Sequence, residues 1–151
     1  MPRLDVERIK RDLRIPAPED DGYLNILFEV SAKSTGKTRR QGAVLVKDGS
    51  IIATGCFEAY VSYTPVKESD KEVEIGSGAI ENAIASCAKF GISTSGATLY
   101  TFTFPNAITC RLIVKAGITD IRFVKASDGP SLGMTLCREK NISINQIRKM
   151  N

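Results

Sequence analysis

Short apolar runs alternate with helical segments that end at glycine, and this alternation limits the possible folds more than any other feature of the sequence. Two helices are predicted from their periodicity, at 77–90 and 106–116, and each is followed directly by a glycine. Runs of β-branched and aromatic residues predict two strands, at 97–103 and 119–125. A strand followed by a helix and another strand is the pattern of parallel neighbours in one sheet.

An antiparallel hairpin is predicted upstream of these elements. The apolar run at 42–47 and the run at 51–57 flank Asp48-Gly49, which is a typical centre for a tight hairpin turn. A helix at 22–33 precedes the hairpin, with an inward stripe predicted at Leu24, Leu27, Phe28 and Ala32. Together with the parallel strands, the hairpin predicts a mixed sheet.

The remaining segments complete an α-β-β-α-β-α-β-α order. Loops are predicted at 34–41 and 58–76, and a helix from about 129 to 140 with Asp128 as its cap. The short apolar alternation at the end of the chain is compatible with one further strand, and the sequence does not decide whether it forms. The predicted fold class is α/β, a three-layer α/β/α sandwich around a mixed sheet. Residues 1–21 are predicted as an N-terminal helix, within 3–14, and a linker, and 22–151 as a single domain.

Several classes of function are excluded or disfavoured by composition. The chain has no histidine, which removes Ser-His-Asp and Cys-His catalysis and every metal site that requires histidine. Four scattered cysteines predict neither a zinc site nor a disulfide framework: Cys56, Cys87, Cys110 and Cys137. The net charge of +4 is too small to indicate a nucleic-acid partner but suits an anionic small ligand. Without an apolar membrane span or signal peptide, a cytoplasmic location is expected.

Three segments resemble the zinc-dependent cytidine/deoxycytidylate deaminase family. Residues 96–118, GATLYTFTFPNAITCRLIVKAGI, are similar to the family's strand, Pro-Cys-x-x-Cys motif and following helix. Residues 78–84, GAIENAI, are similar to its His-Ala-Glu-x-Asn-Ala-Ile helix, and 42–46, GAVLV, fits its substrate-side hairpin. The resemblance implies a cytidine deaminase-like fold.

The same resemblance implies that the family's catalytic positions are substituted. Its zinc-binding histidine falls on Gly78, its proton-shuttling glutamate on Ile80, and its two zinc cysteines on Asn106 and Thr109. None of these residues is the ligand or proton carrier that zinc-dependent deamination requires. We therefore expect no metal and no other cofactor. Glu81 lies one position beyond the family's glutamate, a rotation of about 100° on a helix, so we expect it to point away from the site.

Ligand binding is predicted for a small set of residues. A basic loop could hold phosphate, and three aromatic side chains could stack on a base. The candidates are Lys37, Arg39, Arg40, Phe57, Tyr60, Tyr63 and Asn106. A solvated loop and ordinary packing are the competing interpretations. Phe57 stands where the family's Gly-x-Asn motif places the asparagine, so the family's pyrimidine recognition is also expected to differ.

Three functions remain open. The first is a catalytically inactive deaminase-like protein that binds a nucleotide or a similar ligand, or serves as a non-catalytic subunit in a homo-oligomer or beside a deaminase-like partner. The second is a divergent enzyme without zinc, for which the candidates are Glu81, Cys110, Arg111 and Lys115. The third is a nucleic-acid-binding accessory domain that uses the basic N-terminal helix and the 33–40 loop. No membrane partner is expected.

Overall fold

The computed structural model describes residues 19–35, 41–63, 73–126 and 131–147. These residues form four helices and seven strands. In chain order they are α1 (Asp20–Ala32), β1 (Gly42–Lys47), β2 (Ser50–Cys56), β3 (Glu58–Tyr63), β4 (Val73–Ser77), α2 (Ala79–Lys89), β5 (Thr98–Thr103), α3 (Ala107–Lys115), β6 (Asp120–Lys125), α4 (Leu132–Glu139) and β7 (Ser143–Gln146). The predicted helix at 3–14 lies outside the described residues.

Five of the strands form one mixed sheet in the order β2-β1-β5-β6-β7. Strand β1 is antiparallel to β2 and β5, whereas β5, β6 and β7 run parallel. The turn between β1 and β2 has positive φ at both central residues, 50° at Asp48 and 75° at Gly49. Two positive φ angles are what a two-residue type I′ hairpin requires. The predicted hairpin and the predicted mixed sheet are confirmed.

Helices cover both faces of this sheet. Helices α2, α3 and α4 share one hydrophobic core with strand residues such as Leu45, Leu99 and Ile121. On the opposite face, Leu24 and Leu27 of α1 pack in a smaller core that includes the alternate strand positions. Successive strand side chains point to opposite faces, so each central strand contributes to both cores. The predicted three-layer α/β/α sandwich is confirmed.

The prediction of a loop over 58–76 is wrong for 58–63 and 73–76, and 64–72 lie outside the described residues. Strands β3 and β4 pair antiparallel in a separate two-stranded sheet. This ribbon does not continue the main sheet, and Tyr60 within it is 67% exposed. The residues of β3 and β4 show no sustained apolar alternation, which is the pattern that predicts a half-buried strand, and therefore the sequence did not reveal them. The sequence also suggests Ser77 as the N-cap of the helix predicted at 77–90, but Ser77 ends β4, and Gly78 is the N-cap of α2.

The periodicity of 106–116 predicts that Ile108, Leu112, Ile113 and Ala116 face inward, and this is wrong in part. Ile108 is 79% exposed and Leu112 is 36% exposed, whereas Cys110 and Ile113 are fully buried. This helix packs against α4 as well as the sheet, which selects the face that carries Cys110 and Ile113. Because α3 is apolar on two sides, periodicity alone could not choose between them.

In α1 the predicted stripe is correct for Leu24 and Leu27 but not for its second half. Phe28 is 47% exposed and Ala32 is exposed, while Ser31 is buried. The Ser31 hydroxyl donates a hydrogen bond to the carbonyl oxygen of Leu27 at 2.8 Å. A serine whose hydroxyl is hydrogen-bonded within its own helix can face the core, and the hydropathy pattern does not predict this.

The C-terminal part follows the prediction with one change. Helix α4 is capped by Ser131, whose side chain accepts a hydrogen bond from the backbone N–H of Met134. The predicted cap, Asp128, lies outside the described residues. The last strand that the sequence left open is β7, parallel to β6. In the described part of the chain, every helix is too short or too polar to cross a bilayer.

Candidate functional site

Strand β2 and helix α2 approach each other closely where the site begins. A Cβ at Gly55 would collide with the backbone carbonyl oxygen of Ala79, so a glycine is needed for this contact. The Asn82 side-chain amide donates to the carbonyl oxygens of Cys56, at 2.8 Å, and Ser77, at 3.2 Å. These bonds fix the first turn of α2 against the ends of β2 and β4.

Helix α3 begins with a side-chain cap. The Oδ1 atom of Asn106 accepts a hydrogen bond from the backbone N–H of Thr109 at 2.9 Å. An asparagine in this position satisfies one of the free N–H groups of a first helical turn. Asn106 is therefore a structural cap, and its side-chain oxygen is already engaged.

The first turns of α2 and α3 are joined by one hydrogen bond. The Thr109 hydroxyl donates to Oε1 of Glu81 at 2.8 Å. The other carboxylate oxygen of Glu81 lies so close to Gly78 that a Cβ at that residue would collide with it. The prediction that Glu81 points away from Gly78 and Thr109 is wrong. Glu81 lies one helix position beyond the family's glutamate, but its side chain is long and flexible enough to reach Thr109.

Of the four positions at which the resemblance implies a substitution, Gly78 and Thr109 contact Glu81, and Asn106 is bonded to Thr109. Gly78, Asn106 and Thr109 are at the two helix starts, whereas Ile80 is 7% exposed and belongs to the hydrophobic core. The groups available at the helix starts are a carboxylate, a hydroxyl and an amide. Zinc in proteins takes thiolate, imidazole and carboxylate ligands, most often in sets of four. Only one of the three groups matches that preference, so the residues present do not fit a zinc ion.

The aromatic candidates differ in their surroundings. Phe57 is 1% exposed, so its ring is not open to a ligand in this structure, which does not fit the prediction that it stacks on a base. Tyr60 is 67% exposed, and its hydroxyl lies 2.7 Å from the hydroxyl of Ser77. Tyr63 belongs to β3, but its side chain lies outside the described part. Of the three rings, only that of Tyr60 is described as accessible.

The basic loop begins and ends beside Phe57. The backbone N–H of Thr35 donates to the carbonyl oxygen of Phe57 at 3.1 Å. The backbone N–H of Phe57 in turn donates to the carbonyl oxygen of Gln41, also at 3.1 Å. The Thr35 hydroxyl oxygen also accepts from the N–H of Ala59 at 2.9 Å. The basic candidates between these anchors lie outside the described residues: Lys37, Arg39 and Arg40. Both ends of their segment are thus held at the junction of β2 and β3.

Of the candidates for chemistry without zinc, Glu81 lies at the two helix starts, whereas the other three lie elsewhere. Cys110 is fully buried, and its thiol lies 3.5 Å from the carbonyl oxygen of Pro105. Its hydrogen bond with Cys137, together with burial, raises the pKa of the Cys110 thiol. A buried thiol with a raised pKa is unreactive. Arg111 and Lys115 are exposed on α3, and Lys115 lines an open groove of about 390 Å³ with Leu112.

A polar network on the α1 face was not predicted. Asp20 is 2% exposed, and its Oδ1 accepts from the Tyr100 hydroxyl at 2.5 Å and from Arg122 Nη1 at 2.6 Å. Arg122 Nε also donates to Asp120 at 2.9 Å, and Asn145 donates to the other oxygen of Asp120. The signal in the sequence is a tyrosine in β5 and an arginine in β6, paired with each other in register across the sheet.

Burial and the bond to Asp20 raise the pKa of Tyr100 far above its ordinary value. Burial alone would lower the pKa of Arg122, but the carboxylates of Asp120 and Asp20 outweigh it, and the pKa is raised. Both groups therefore keep their protons, and the network ties α1 to β5 and β6.

Comparison with known proteins agrees with this architecture. Residues 18–125 match the family model for the cytidine and deoxycytidylate deaminase zinc-binding region. A stretch of 66 residues is 29% identical to ComE operon protein 2 of Bacillus subtilis (strain 168), and it covers 44% of this chain but 35% of that protein. The match therefore spans about a third of the length of that relative.

Solved structures show the same fold. The dCMP deaminase of cyanophage S-TIM5, in complex with dCMP and dUMP, superposes with a TM-score of 0.73 at 21% identity, over 87% of this chain and 99% of that one. The bifunctional diaminohydroxyphosphoribosylaminopyrimidine deaminase and 5-amino-6-(5-phosphoribosylamino)uracil reductase of Thermotoga maritima gives a TM-score of 0.65 at 25% identity, over 83% of this chain and 35% of that one. The chain belongs to the cytidine and deoxycytidylate deaminase family.

Proposed function

We propose that this protein is a member of the deaminase family that holds no zinc and binds a nucleotide, or a similar small anionic ligand, without deaminating it. One observation carries the proposal: the Glu81 carboxylate, bonded to Thr109, fills the space beside Gly78. Hydrolytic deamination uses a zinc-bound water and a carboxylate that moves protons. The apolar, buried side chain of Ile80 cannot move a proton.

A nucleotide is the ligand class that the surroundings support best. The cyanophage dCMP deaminase, which has the same fold, was solved with dCMP and dUMP bound. In this chain Thr35 and Gln41, which flank the basic segment in sequence, are bonded to Phe57 at the junction of β2 and β3, and Tyr60 in β3 has an exposed ring. Cations that bond a phosphate and an aromatic ring that stacks on a base together suit a nucleotide.

Binding and turnover of dCMP test the two halves of this proposal separately. Calorimetric titration should show binding, and chromatography of the mixture should show no dUMP above a control without protein. Replacing Lys37, Arg39 and Arg40 together with alanine should weaken binding by about tenfold or more, because charge-assisted bonds to phosphate are lost. Lys140→Ala, an exposed cation at the end of α4, is the matched control and should leave binding unchanged.

Each outcome bears on one half of the proposal. Formation of dUMP would overturn the absence of deamination. A titration without binding at millimolar dCMP would overturn the nucleotide ligand. Oligonucleotide binding that falls steeply with salt, in place of dCMP binding, would favour the nucleic-acid accessory domain. Turnover that Cys110→Ala abolishes would favour an enzyme with different chemistry.

A non-catalytic subunit is the second candidate, and one observation favours it. Ile108 and Leu112 are large apolar side chains four residues apart on α3, and they are 79% and 36% exposed. Apolar side chains that share one exposed helix face are typical of contact surfaces. We propose that this face packs against a second copy of the chain or a deaminase-like partner. Its test is the oligomeric state of the Ile108 variant described below.

A further inference from the structure

The glycine at position 78 is not required by the backbone. Gly78 is the N-cap of α2 with φ −72° and ψ 159°, an extended conformation that every residue type adopts. Serine, threonine, aspartate and asparagine are the usual residues at such a position, since their side chains accept from the free N–H groups of the helix. The requirement for glycine must come from its neighbours.

The neighbour that excludes a side chain is the carboxylate of Glu81. A Cβ at residue 78 would collide with Oε2 of Glu81 and lie 3.1 Å from its Cδ. Both atoms belong to the far end of a flexible side chain. A substitution at 78 would thus move the carboxylate rather than the backbone.

Moving the carboxylate would break the contact between the helices. Glu81 and Thr109 are the third residues of α2 and α3, and their hydrogen bond joins the first turns of the two helices. The N–H of Thr109 is held by Asn106, which fixes the position of the donor. A negative charge is also favoured at a helix start, where the free N–H groups carry partial positive charge.

We infer that Glu81 is a positioning residue that takes the structural place of a metal, holding the starts of α2 and α3 together, and that Gly78 is present because Glu81 needs the space. The two residues form a dependent pair, in which any side chain at 78 displaces the carboxylate from Thr109. This inference rests on the contacts of Glu81 and not on ligand binding.

A double-mutant cycle on the full chain tests the dependence. Gly78→Ala and Glu81→Ala should each lower the melting temperature by about 3–6 °C, because each removes the bond to Thr109. The double variant should be no less stable than the less stable single variant, since the same bond is lost only once. Gly22→Ala, at a glycine with open space around its Cβ position, controls for the added methyl group.

Conservative variants separate this bond from packing. Thr109→Ser keeps the hydroxyl and should melt close to the unchanged protein, whereas Thr109→Val keeps the shape and should melt as low as Glu81→Ala. Neither zinc nor a chelator should shift the melting temperature of the unchanged protein. Additive losses in the cycle, or equal melting of the serine and valine variants, would overturn the inference, even if dCMP binding is found.

Discussion

Removing the carboxylate of Asp20 should destabilise the protein far more than removing that of Asp21, although the two are adjacent in the first turn of α1. Asp20 accepts from Tyr100 and Arg122, and its side chain is 2% exposed. In Asp21, one carboxylate oxygen is buried and has no hydrogen-bond partner among the described residues. The comparison therefore isolates the network from the effect of charge at a helix start.

The expected magnitudes follow from these contacts. Breaking a buried ion pair by removing one partner typically costs about 3–5 kcal/mol. Arg122 keeps Asp120 as a partner at 2.9 Å, so Asp20→Ala should cost about 3 kcal/mol, the lower end of that range. Asp21→Ala loses a favourable charge at the helix start but also removes an unsatisfied oxygen. The net change there should stay within about 1 kcal/mol.

Urea unfolding followed by circular dichroism measures both variants at one pH. The free energy of unfolding should fall by about 3 kcal/mol for Asp20→Ala and stay nearly constant for Asp21→Ala. Equal losses in the two variants would refute the role of the network in holding α1. A loss below about 1 kcal/mol for Asp20→Ala would do the same.

Three further predictions concern pH, assembly and packing. Because the pKa of Tyr100 is raised from 10.0, the unfolded chain loses this proton first, and stability should fall as the pH rises above 10. Tyr100→Phe should show a smaller fall in urea titrations across that range, and an equal fall would contradict the shift. Ile108→Asp should lower the molar mass seen in light scattering over a concentration series while the circular dichroism spectrum is kept, and a monomer before the substitution would exclude the contact surface. Gly55→Ala should cost about 1–3 kcal/mol of unfolding free energy through the collision with α2, and a neutral result would contradict that close approach.

The parts of the fold that the sequence predicted correctly depend on local chemistry. The Asp48-Gly49 turn needs only its own two residues to adopt positive φ angles, so the hairpin was visible without any tertiary information. Gly91 and Gly117 follow α2 and α3 with positive φ angles, 68° and 77°, as glycines at helix ends commonly do. The order of the central elements followed from these signals.

The predictions failed at residues whose burial or partners depend on contacts between elements that are distant in sequence. Ile108 and Cys110 lie on two apolar sides of the same helix, and its packing against α4 and the sheet determines which of them is buried. The strands β3 and β4 show no sustained apolar alternation in the sequence, so no strand was predicted there. For Glu81, the helical rotation alone predicted the wrong direction, because the long side chain bends back and reaches Thr109. The pairing of Asp20 with Arg122 spans 102 positions, which periodicity cannot detect.

The zinc content of the purified protein tests the proposed loss of the metal site most directly. The chain should be expressed in zinc-supplemented medium, desalted without chelator and analysed by inductively coupled plasma mass spectrometry. Because the helix starts carry Gly78, Asn106 and Thr109, and Glu81 fills the space between them, we predict far less than one zinc ion per chain. A stoichiometric content of zinc would contradict the proposal and show that other residues of the chain bind the metal.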